Sequence, residues 1–443
     1  MFKRSRTMVA VLLASSVVIA ACGGDDDDEP AAQEPTAEES VEEPAAEEST
    51  MEESSMEEST TEGGATEGSS SEALTIWADD LKIEPLREIA PAFTEATGVE
   101  VNVELVPFTD IRDQVTQAGP AGEGPDIFAG AHDWTGELAA NGVIDAVDLG
   151  DKSGEFIDVA LQGFNFEGQN YAVPYVTEAV ALYRNTDLVP DAPATWDDLR
   201  AACDGIEVAN CVVLPGGGTV TDAYHNYPLG VSSEGGYIFA FDEATGFDAS
   251  DVGLDSPEGI ASADFLAQQV ADGYVASTDG DTAQALFIDG EAAFFISGPW
   301  QITPLTEGGV NWDASVIPTI DGNTAQPFVG VQGFFLSAFS ENALLAQSFL
   351  LDFVATQETM QALYDADPRG TAWQSILDGL SDDPVVQTFG ESAANGVPMP
   401  NIPQMAAVWG PLGDNMLLIR NGEATGEEAM TAAASAVRAA VAG

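Results

Sequence analysis

The sequence predicts an α/β fold with two lobes, and three observations support this. About 370 residues follow position 72, which is more than one hydrophobic core comfortably holds. Residues 74–77 (LTIW) and 99–106 predict strands, and residues 85–97 between them carry apolar side chains at helical spacing. A β-α-β opening of this kind is typical of a sheet with helices on both faces.

Later segments continue the alternation of strand and helix. Residues 126–129 (DIFA) predict a strand, and Thr195 is a suitable N-cap for a helix that starts with residues 196–199. Gly98 is a suitable stop for the first helix. Residues 341–355 predict one amphipathic helix, with the apolar positions Leu344, Leu345, Phe349, Leu350 and Phe353.

The first 72 residues predict an exported chain with an acidic tether. Basic residues open the chain, an apolar stretch too short to span a bilayer follows, and Cys22 ends a run of small residues. Residues 19–22 (IAAC) resemble the lipobox of bacterial lipoproteins, which implies that residues 1–21 are a signal peptide and that a lipid on Cys22 anchors the protein to the cell membrane. An ordinary secretory signal with a coincidental cysteine is the alternative.

Residues 23–72 contain nineteen acidic residues and no basic ones, a composition typical of a disordered tether. An acidic interaction tail is the alternative. Beyond position 72 there are 56 acidic residues against nine basic ones. A surface of this sign repels phosphate backbones, so we expect no nucleic-acid binding.

Cysteine and histidine are scarce. Apart from Cys22 the chain has only Cys203 and Cys211, and in an exported protein such a pair predicts a local disulfide, with two buried thiols as the alternative. His132 and His225 do not cluster with cysteines, so we expect no zinc site. We also expect no cofactor.

Seven collinear segments resemble the extracytoplasmic solute-binding proteins of ABC importers, and within them the maltose/maltodextrin-binding branch. The resemblance covers nearly everything from 74 to 441. The segments are 124–133 (GPDIFAGAHD), 171–174 (YAVP) with 178–179 (EA), 235–237 (GGY), 290–294 (GEAAF), 297–300 (SGPW), 327–331 (PFVGV) and 399–405 (MPNIPQM) with Trp409.

The resemblance implies a periplasmic-binding-protein-like clamp of type II, in which two discontinuous lobes close on a ligand about a hinge. By position, residues 73–176 and 318–377 form the N-terminal lobe, and residues 177–317 and 378–443 form the C-terminal lobe. The crossings near Val176 and Ile317 are then the expected hinges. The ligand site is expected in the cleft between the lobes.

The resemblance also implies a sugar site built from acids at the edge of the sugar ring and aromatic side chains against its face. The expected ligand-binding residues are acids, stacking aromatic residues and two weaker candidates near the first strand. They are Asp80, Lys82, Asp133, Trp134, Glu178, Asp222, Tyr224, Trp300 and Trp409.

The chain departs from the maltodextrin-binding pattern at several positions of the cleft. Gly130 stands where the family has a stacking tryptophan, and Trp134 stands where it has a basic residue. Gly410 and Gly413 replace an aromatic residue and an arginine expected after Trp409. These changes predict a remodelled cleft, so maltose itself is not the expected ligand; a different oligosaccharide or an α-glucoside is the alternative, and non-sugar solutes stay open.

The leading hypothesis is therefore a monomeric, membrane-anchored receptor that binds an oligosaccharide and delivers it to the membrane subunits of an ABC permease. A secreted glycoside hydrolase is the enzymatic alternative, but the chain has no nucleophile elbow. A glycine run at 216–218 also fails the phosphate-loop spacing at Thr221. A sugar sensor for a signalling partner is the second alternative, since sensing and import both depend on lobe closure.

Overall fold

The computed structural model describes residues 73–242 and 245–442. The predicted signal peptide, Cys22 and the acidic tether lie outside the described residues. The first run of elements comprises β1 (Leu74–Ala78), α1 (Ile83–Thr97), β2 (Val101–Leu105), α2 (Phe108–Ala118), β3 (Ile127–Ala131), α3 (Thr135–Ala140), β4 (Ile144–Asp145), α4 (Asp158–Gly163), β5 (Asn165–Phe166), β6 (Gln169–Asn170) and β7 (Ala172–Glu178).

The middle of the chain builds a second set of elements. These are β8 (Ala181–Asn185), α5 (Trp196–Asp204), β9 (Asn210–Leu214), α6 (Thr219–Gly230), β10 (Phe239–Asp242), β11 (Gly246–Val252), α7 (Pro257–Ala271), β12 (Val275–Ser277), α8 (Gly280–Ile288), β13 (Ala292–Ser297), α9 (Ile302–Gly308) and β14 (Trp312–Ser315).

The last part of the chain contributes to both lobes. It contains β15 (Phe328–Ser337), α10 (Ala343–Ser348), α11 (Gln357–Ala366), β16 (Gly370–Thr371), α12 (Gln374–Gly379), α13 (Pro384–Asn395), β17 (Val397–Pro398), α14 (Ala406–Arg420) and α15 (Gly426–Val441).

Two sheets carry the two lobes. In the first lobe the strand order is β16-β7-β15-β3-β1-β2, with β4 and β17 paired to β15. Strands β1, β2 and β3 run parallel, while β15 is antiparallel to both β3 and β7. In the second lobe the order is β12-β9-β13-β8-β14. The predicted α/β class and the two-lobed fold are confirmed.

The hydrophobic core changes lobe three times along the chain. Side chains up to Val176 belong to the first core and those from Val180 to the second. The second crossing falls inside β15, because residues up to Phe328 pack in the second core and Val331 returns to the first. A third crossing lies between 376 and 389. We therefore propose 328–331 as the second crossing, later in the chain than the expected position at Ile317.

The local signals in the sequence give several elements correctly. Helix α1 ends at Gly98, whose φ of 78° suits glycine. Thr195 caps α5 in a capping box with Asp198. The predicted disulfide is confirmed, since Cys203 and Cys211 are joined by an S–S bond of 1.97 Å.

The single helix predicted over 341–355 is wrong. The α-helical part, α10, ends at Ser348, and a π-helical segment continues over Phe349–Val354. A π-turn holds more residues than an α-turn, so the face turned to the core shifts along the segment. Leu344, on α10 before the π-helical segment, is 84% exposed, while Phe349 and Leu350 within that segment are fully buried.

Two glycines on α14 make a matched test of helix packing in the second lobe. A Cβ on Gly413 would lie 1.9 Å from the backbone oxygen of Thr219, where α6 crosses, whereas a Cβ on Gly410 would meet nothing within 4 Å. We expect Gly413→Ala to lower the free energy of unfolding by about 2 kcal/mol or more through overpacking. Gly410→Ala should raise it by up to about 1 kcal/mol through helix propensity. Denaturant unfolding of both variants checks this, and equal midpoints would contradict the packing argument.

Candidate functional site

A buried carboxylate, Glu178, lies where the chain first passes between the lobes. It ends β7 and accepts hydrogen bonds from the side-chain amide of Gln332 (2.9 Å) and from the guanidinium of Arg369 (2.6 Å). Gly330 faces it on β15, where a Cβ would lie 3.0 Å from the Glu178 Cγ atom. The absence of a side chain at Gly330 therefore leaves room for the carboxylate.

Four other charged side chains are buried around Glu178. Arg369 precedes β16 and forms a second ion pair with Asp367, at 2.5 Å. Lys82 pairs with Asp79, which follows β1, and both side chains are at most 5% exposed. We call these five residues, Asp79, Lys82, Glu178, Asp367 and Arg369, the ionic cluster.

Burial and charge act against each other in the ionic cluster. Burial lowers the pKa of Lys82, while Asp79 and Asp367 counteract this shift. Burial raises the pKa of Asp367, and the charge of Arg369 opposes the rise. The Lys82 ammonium also lies over the rings of Phe108 (5.1 Å) and Tyr175 (5.3 Å). The charges thus neutralise one another largely within the cluster.

Four aromatic side chains of the second core, Tyr224, Trp300, Phe328 and Trp409, form a continuous group that we call the aromatic cluster. The Tyr224 ring lies 6.0 Å from Trp300 and 5.9 Å from Phe328, and Phe328 lies 5.9 Å from Trp409. The indole of Trp300 folds over Gly298, where a Cβ would lie 2.1 Å from the ring. Glycine at 298 is therefore required for this position of Trp300.

The two clusters meet between the lobes. The guanidinium carbon of Arg369 lies 5.9 Å from the centre of the Trp300 ring. A second contact joins Asp133, which follows β3, to Trp409 on α14, because the indole Nε1 donates to the carboxylate at 3.1 Å. Burial raises the pKa of Asp133 to about 6, against the opposing effects of Arg112 and of the Trp409 hydrogen bond.

Five of the sequence-predicted residues therefore lie along one chain of contacts. Asp133 touches Trp409, the aromatic cluster extends from Trp409 to Trp300, and Trp300 reaches the Arg369 partner of Glu178. Lys82 lies in the ionic cluster. The arrangement places carboxylates and flat rings on opposite sides of one interface, which suits a ligand with hydroxyl groups and apolar faces.

Three predicted residues, Asp80, Trp134 and Asp222, lie outside both this chain of contacts and the ionic cluster. Asp80 is exposed, and its neighbour Asp79 is the one that turns inward to Lys82. Trp134 is 8% exposed and packs at 5.2 Å against Phe108 in the first core. The third residue, Asp222, is engaged within the second lobe.

Asp222 fixes the loop between β9 and α6. One carboxylate oxygen pairs with Arg420 at 2.7 Å, and the other accepts from the backbone N–H groups of Gly217 (3.0 Å) and Gly218 (3.2 Å). Arg420 also donates to the carbonyls of Leu214, Pro215 and Thr278. The pair thus holds the loop before α6 in place within the second lobe.

The two departures from the family pattern at Gly130 and Trp134 have a common steric explanation. A Cβ at 130 would lie 2.6 Å from the Trp134 ring and 2.8 Å from Phe335. The indole of Trp134 thus occupies the space beside residue 130, and the small residue and the large one depend on each other.

Sequence reasoning missed Asp367, Arg369, Gln332 and His225 as neighbours of the site. Basic residues offered a signal, because only nine occur beyond position 72 and four of them, Lys82, Arg184, Arg369 and Arg420, are buried. A buried cation needs a buried anion nearby. The scarcity of basic residues marks Arg369 as a candidate, and its carboxylate partners in the structure are Glu178 and Asp367.

The raised pKa of Asp133 predicts a pH-dependent stability. Since the folded-state pKa of about 6 exceeds the ordinary value of 3.8, protonation favours the folded state. Asp133 should therefore contribute about 2 to 3 kcal/mol more stability below pH 4 than above pH 6, with the gain lost as pH rises through 6. Asp133→Asn should remove this gain.

Denaturant unfolding between pH 4 and 8 measures this contribution as the difference between wild type and Asp133→Asn. The exposed carboxylate Asp158, replaced by Asn, controls for the change in net charge. Parallel curves for wild type and Asp133→Asn would refute the assignment of the buried charge.

No helix in the described ranges is long and apolar enough to cross a bilayer. Residues 88–389 match the family model described as a bacterial extracellular solute-binding protein. The galactooligosaccharide-binding protein of Bacillus subtilis is 25% identical over 384 residues, covering 82% of this chain and 88% of that protein. A maltooligosaccharide ABC transporter solute-binding lipoprotein of Streptococcus pneumoniae is 28% identical over 383 residues, covering 82% and 87%.

A crystal structure of a cyclo/maltodextrin-binding protein complexed with maltotetraose superposes with a TM-score of 0.70 at 29% sequence identity. The match covers 85% of this chain and 98% of that chain. The family match spans both lobes and includes the segments that carry Asp133, Glu178 and Trp300. The chain belongs to the bacterial extracellular solute-binding proteins, and it is a binding protein and not an enzyme.

Proposed function

We propose that this protein is the oligosaccharide-binding component of an ABC importer. The observation that carries the proposal is the aromatic cluster of the second lobe facing the ionic cluster and Asp133 of the first. Relatives named for galactooligosaccharide, maltotriose and maltooligosaccharide binding support it. Because the relatives differ in their named sugars, the proposal covers oligosaccharides as a class, with maltodextrin-like chains included.

In this proposal the sugar binds between the lobes and stabilises their closed arrangement. A pyranose ring lies with its C–H face on Trp300, and its hydroxyl groups donate to the carboxylates of Glu178 and Asp133. Binding then replaces part of the direct Trp409–Asp133 and Trp300–Arg369 contacts with contacts to the ligand. Closure commits the loaded form to a permease, whose membrane subunits are the proposed partner of a monomeric protein.

Binding to a panel of oligosaccharides tests the proposal. Isothermal titration and thermal unfolding should show binding of at least one of maltotriose, maltotetraose and a β-galactooligosaccharide, with a rise in melting temperature. Trp300→Ala should weaken that binding by about 1 to 3 kcal/mol, because the stacking surface is lost. Trp300→Phe should retain part of the affinity.

The exposed ring of Phe241 is a matched control outside the aromatic cluster, and Phe241→Ala should bind as the wild type does. A wild-type protein that binds none of the three sugars would refute the proposed ligand class. Unchanged affinity in Trp300→Ala would instead show that Trp300 is not the stacking platform.

We further propose that a lipid on Cys22 holds the protein at the outer face of the cell membrane and that residues 23–72 act as the tether. The named lipoprotein among the relatives supports the anchor. Cys22→Ser should move the protein from the membrane fraction to the medium and abolish incorporation of a radiolabelled fatty acid. Retention of the variant on membranes with its label would contradict the lipid anchor.

A further inference from the structure

The two histidines of the chain are buried but differ in their hydrogen bonds. His132 is satisfied on both sides: the Val331 N–H donates to its Nδ1 at 3.0 Å, and its Nε2 lies 3.0 Å from the Met399 carbonyl oxygen. Since Nδ1 accepts, Nε2 must carry the proton. His132 is therefore an Nε2–H tautomer with a structural role.

His225 has the opposite pattern. It lies on α6 next to Tyr224 and is 8% exposed. Its Nδ1 lies 3.0 Å from the Thr221 carbonyl oxygen, which can only accept, so Nδ1 carries the proton. Burial lowers the pKa of His225 to about 4, so the ring is neutral at pH 7 and Nε2 presents a lone pair.

This lone pair has no hydrogen-bond partner within the described ranges, and neither does the neighbouring hydroxyl of Tyr224. Leaving a buried polar atom unpaired is costly, so such atoms at a ligand site are expected to be paired by the ligand. The His225 ring stands perpendicular to Trp300, with 5.8 Å between the ring centres, and lies 5.4 Å from the Tyr224 ring. A sugar stacked on Trp300 would therefore lie close to the two rings that carry these atoms.

We propose that His225 is a specificity-determining residue of the sugar site, whose Nε2 accepts a hydrogen bond from one ligand hydroxyl while the Thr221 carbonyl fixes the tautomer. The proposal rests on the proposed function. Because Nε2 is an acceptor only, it selects a hydroxyl group at the facing position of the ligand. A deoxy carbon or an acceptor such as fluorine at that position would leave Nε2 unpaired and weaken binding. Tyr224, which both donates and accepts, supplies the adjacent, less selective contact.

The binding test uses His225→Phe and His225→Gln against maltotriose, maltotetraose and a β-galactooligosaccharide. His225→Phe keeps an aromatic ring against Trp300 and removes the acceptor, so affinity for the sugar that wild type binds should fall about 10- to 100-fold. His225→Gln places an amide oxygen near the same position and should restore part of that loss. Tyr237→Phe removes an exposed hydroxyl that pairs with Asp251 and is the control.

Monodeoxy analogues of the bound sugar identify the hydroxyl concerned. One analogue should bind about tenfold or more weakly to wild type yet bind to His225→Phe as well as the parent sugar does. Unchanged affinity of His225→Phe for every sugar that wild type binds would overturn the inference while leaving the proposed function intact. Failure of wild type to bind any of the three sugars would overturn both.

Nitrogen-15 spectra of the imidazoles provide a readout that does not depend on folding of a variant. With only two histidines, wild type at pH 7 should show one Nε2–H ring, His132, and one Nδ1–H ring, His225. Addition of the sugar should shift the unprotonated Nε2 of His225 in the direction of hydrogen bonding. An Nε2–H tautomer at His225, or an Nε2 signal unmoved at saturation, would contradict the proposal.

Discussion

The shortage of positive charge is the constraint on which this structure depends. Only nine basic residues follow position 72, yet Lys82, Arg369 and Arg420 are each buried against a carboxylate. Removing one partner of such a pair leaves an uncompensated buried charge, at a cost of about 3 to 5 kcal/mol. Two of these cations also set geometry, since Arg369 orients Glu178 and Arg420 holds the loop that Asp222 organises. The scarce cations therefore contribute to local geometry as well as to stability.

Several close contacts in the structure are possible only because a glycine has no side chain. Gly330 leaves space for Glu178, Gly298 lets Trp300 fold back, and Gly413 brings α14 against α6. Gly330 lies on strand β15, which begins in the second core at Phe328 and continues through the first. The rings and the carboxylates thus lie on either side of a segment shared by both lobes.

Short-range sequence signals made much of the fold predictable, whereas contacts between segments distant in the sequence could not be derived from them. Gly98 and Thr195 act on their own helices, so their roles were visible in the sequence. Asp80 and Asp79 differ by one position, and which of them turns inward depends on Lys82. The surroundings of Trp134 and Asp222 were not predictable for the same reason. Trp134 packs beside Gly130 and Phe108, and Asp222 pairs with Arg420. Motif context identified Asp133, Glu178, Trp300 and Trp409 as candidates but gave no partner for any of them.

The charge balance of the site bears on the kind of ligand it accepts. The ionic cluster contains three carboxylates and two cations, and both cations are already paired. A phosphorylated or carboxylated sugar would need a free cation and would meet the negative field of the whole protein. In the proposed site, neutral hydroxyl groups would need only acceptors, such as Glu178, Asp133 and the Nε2 atom of His225. We therefore expect the excess of acid to favour uncharged oligosaccharides over their anionic derivatives at the proposed site.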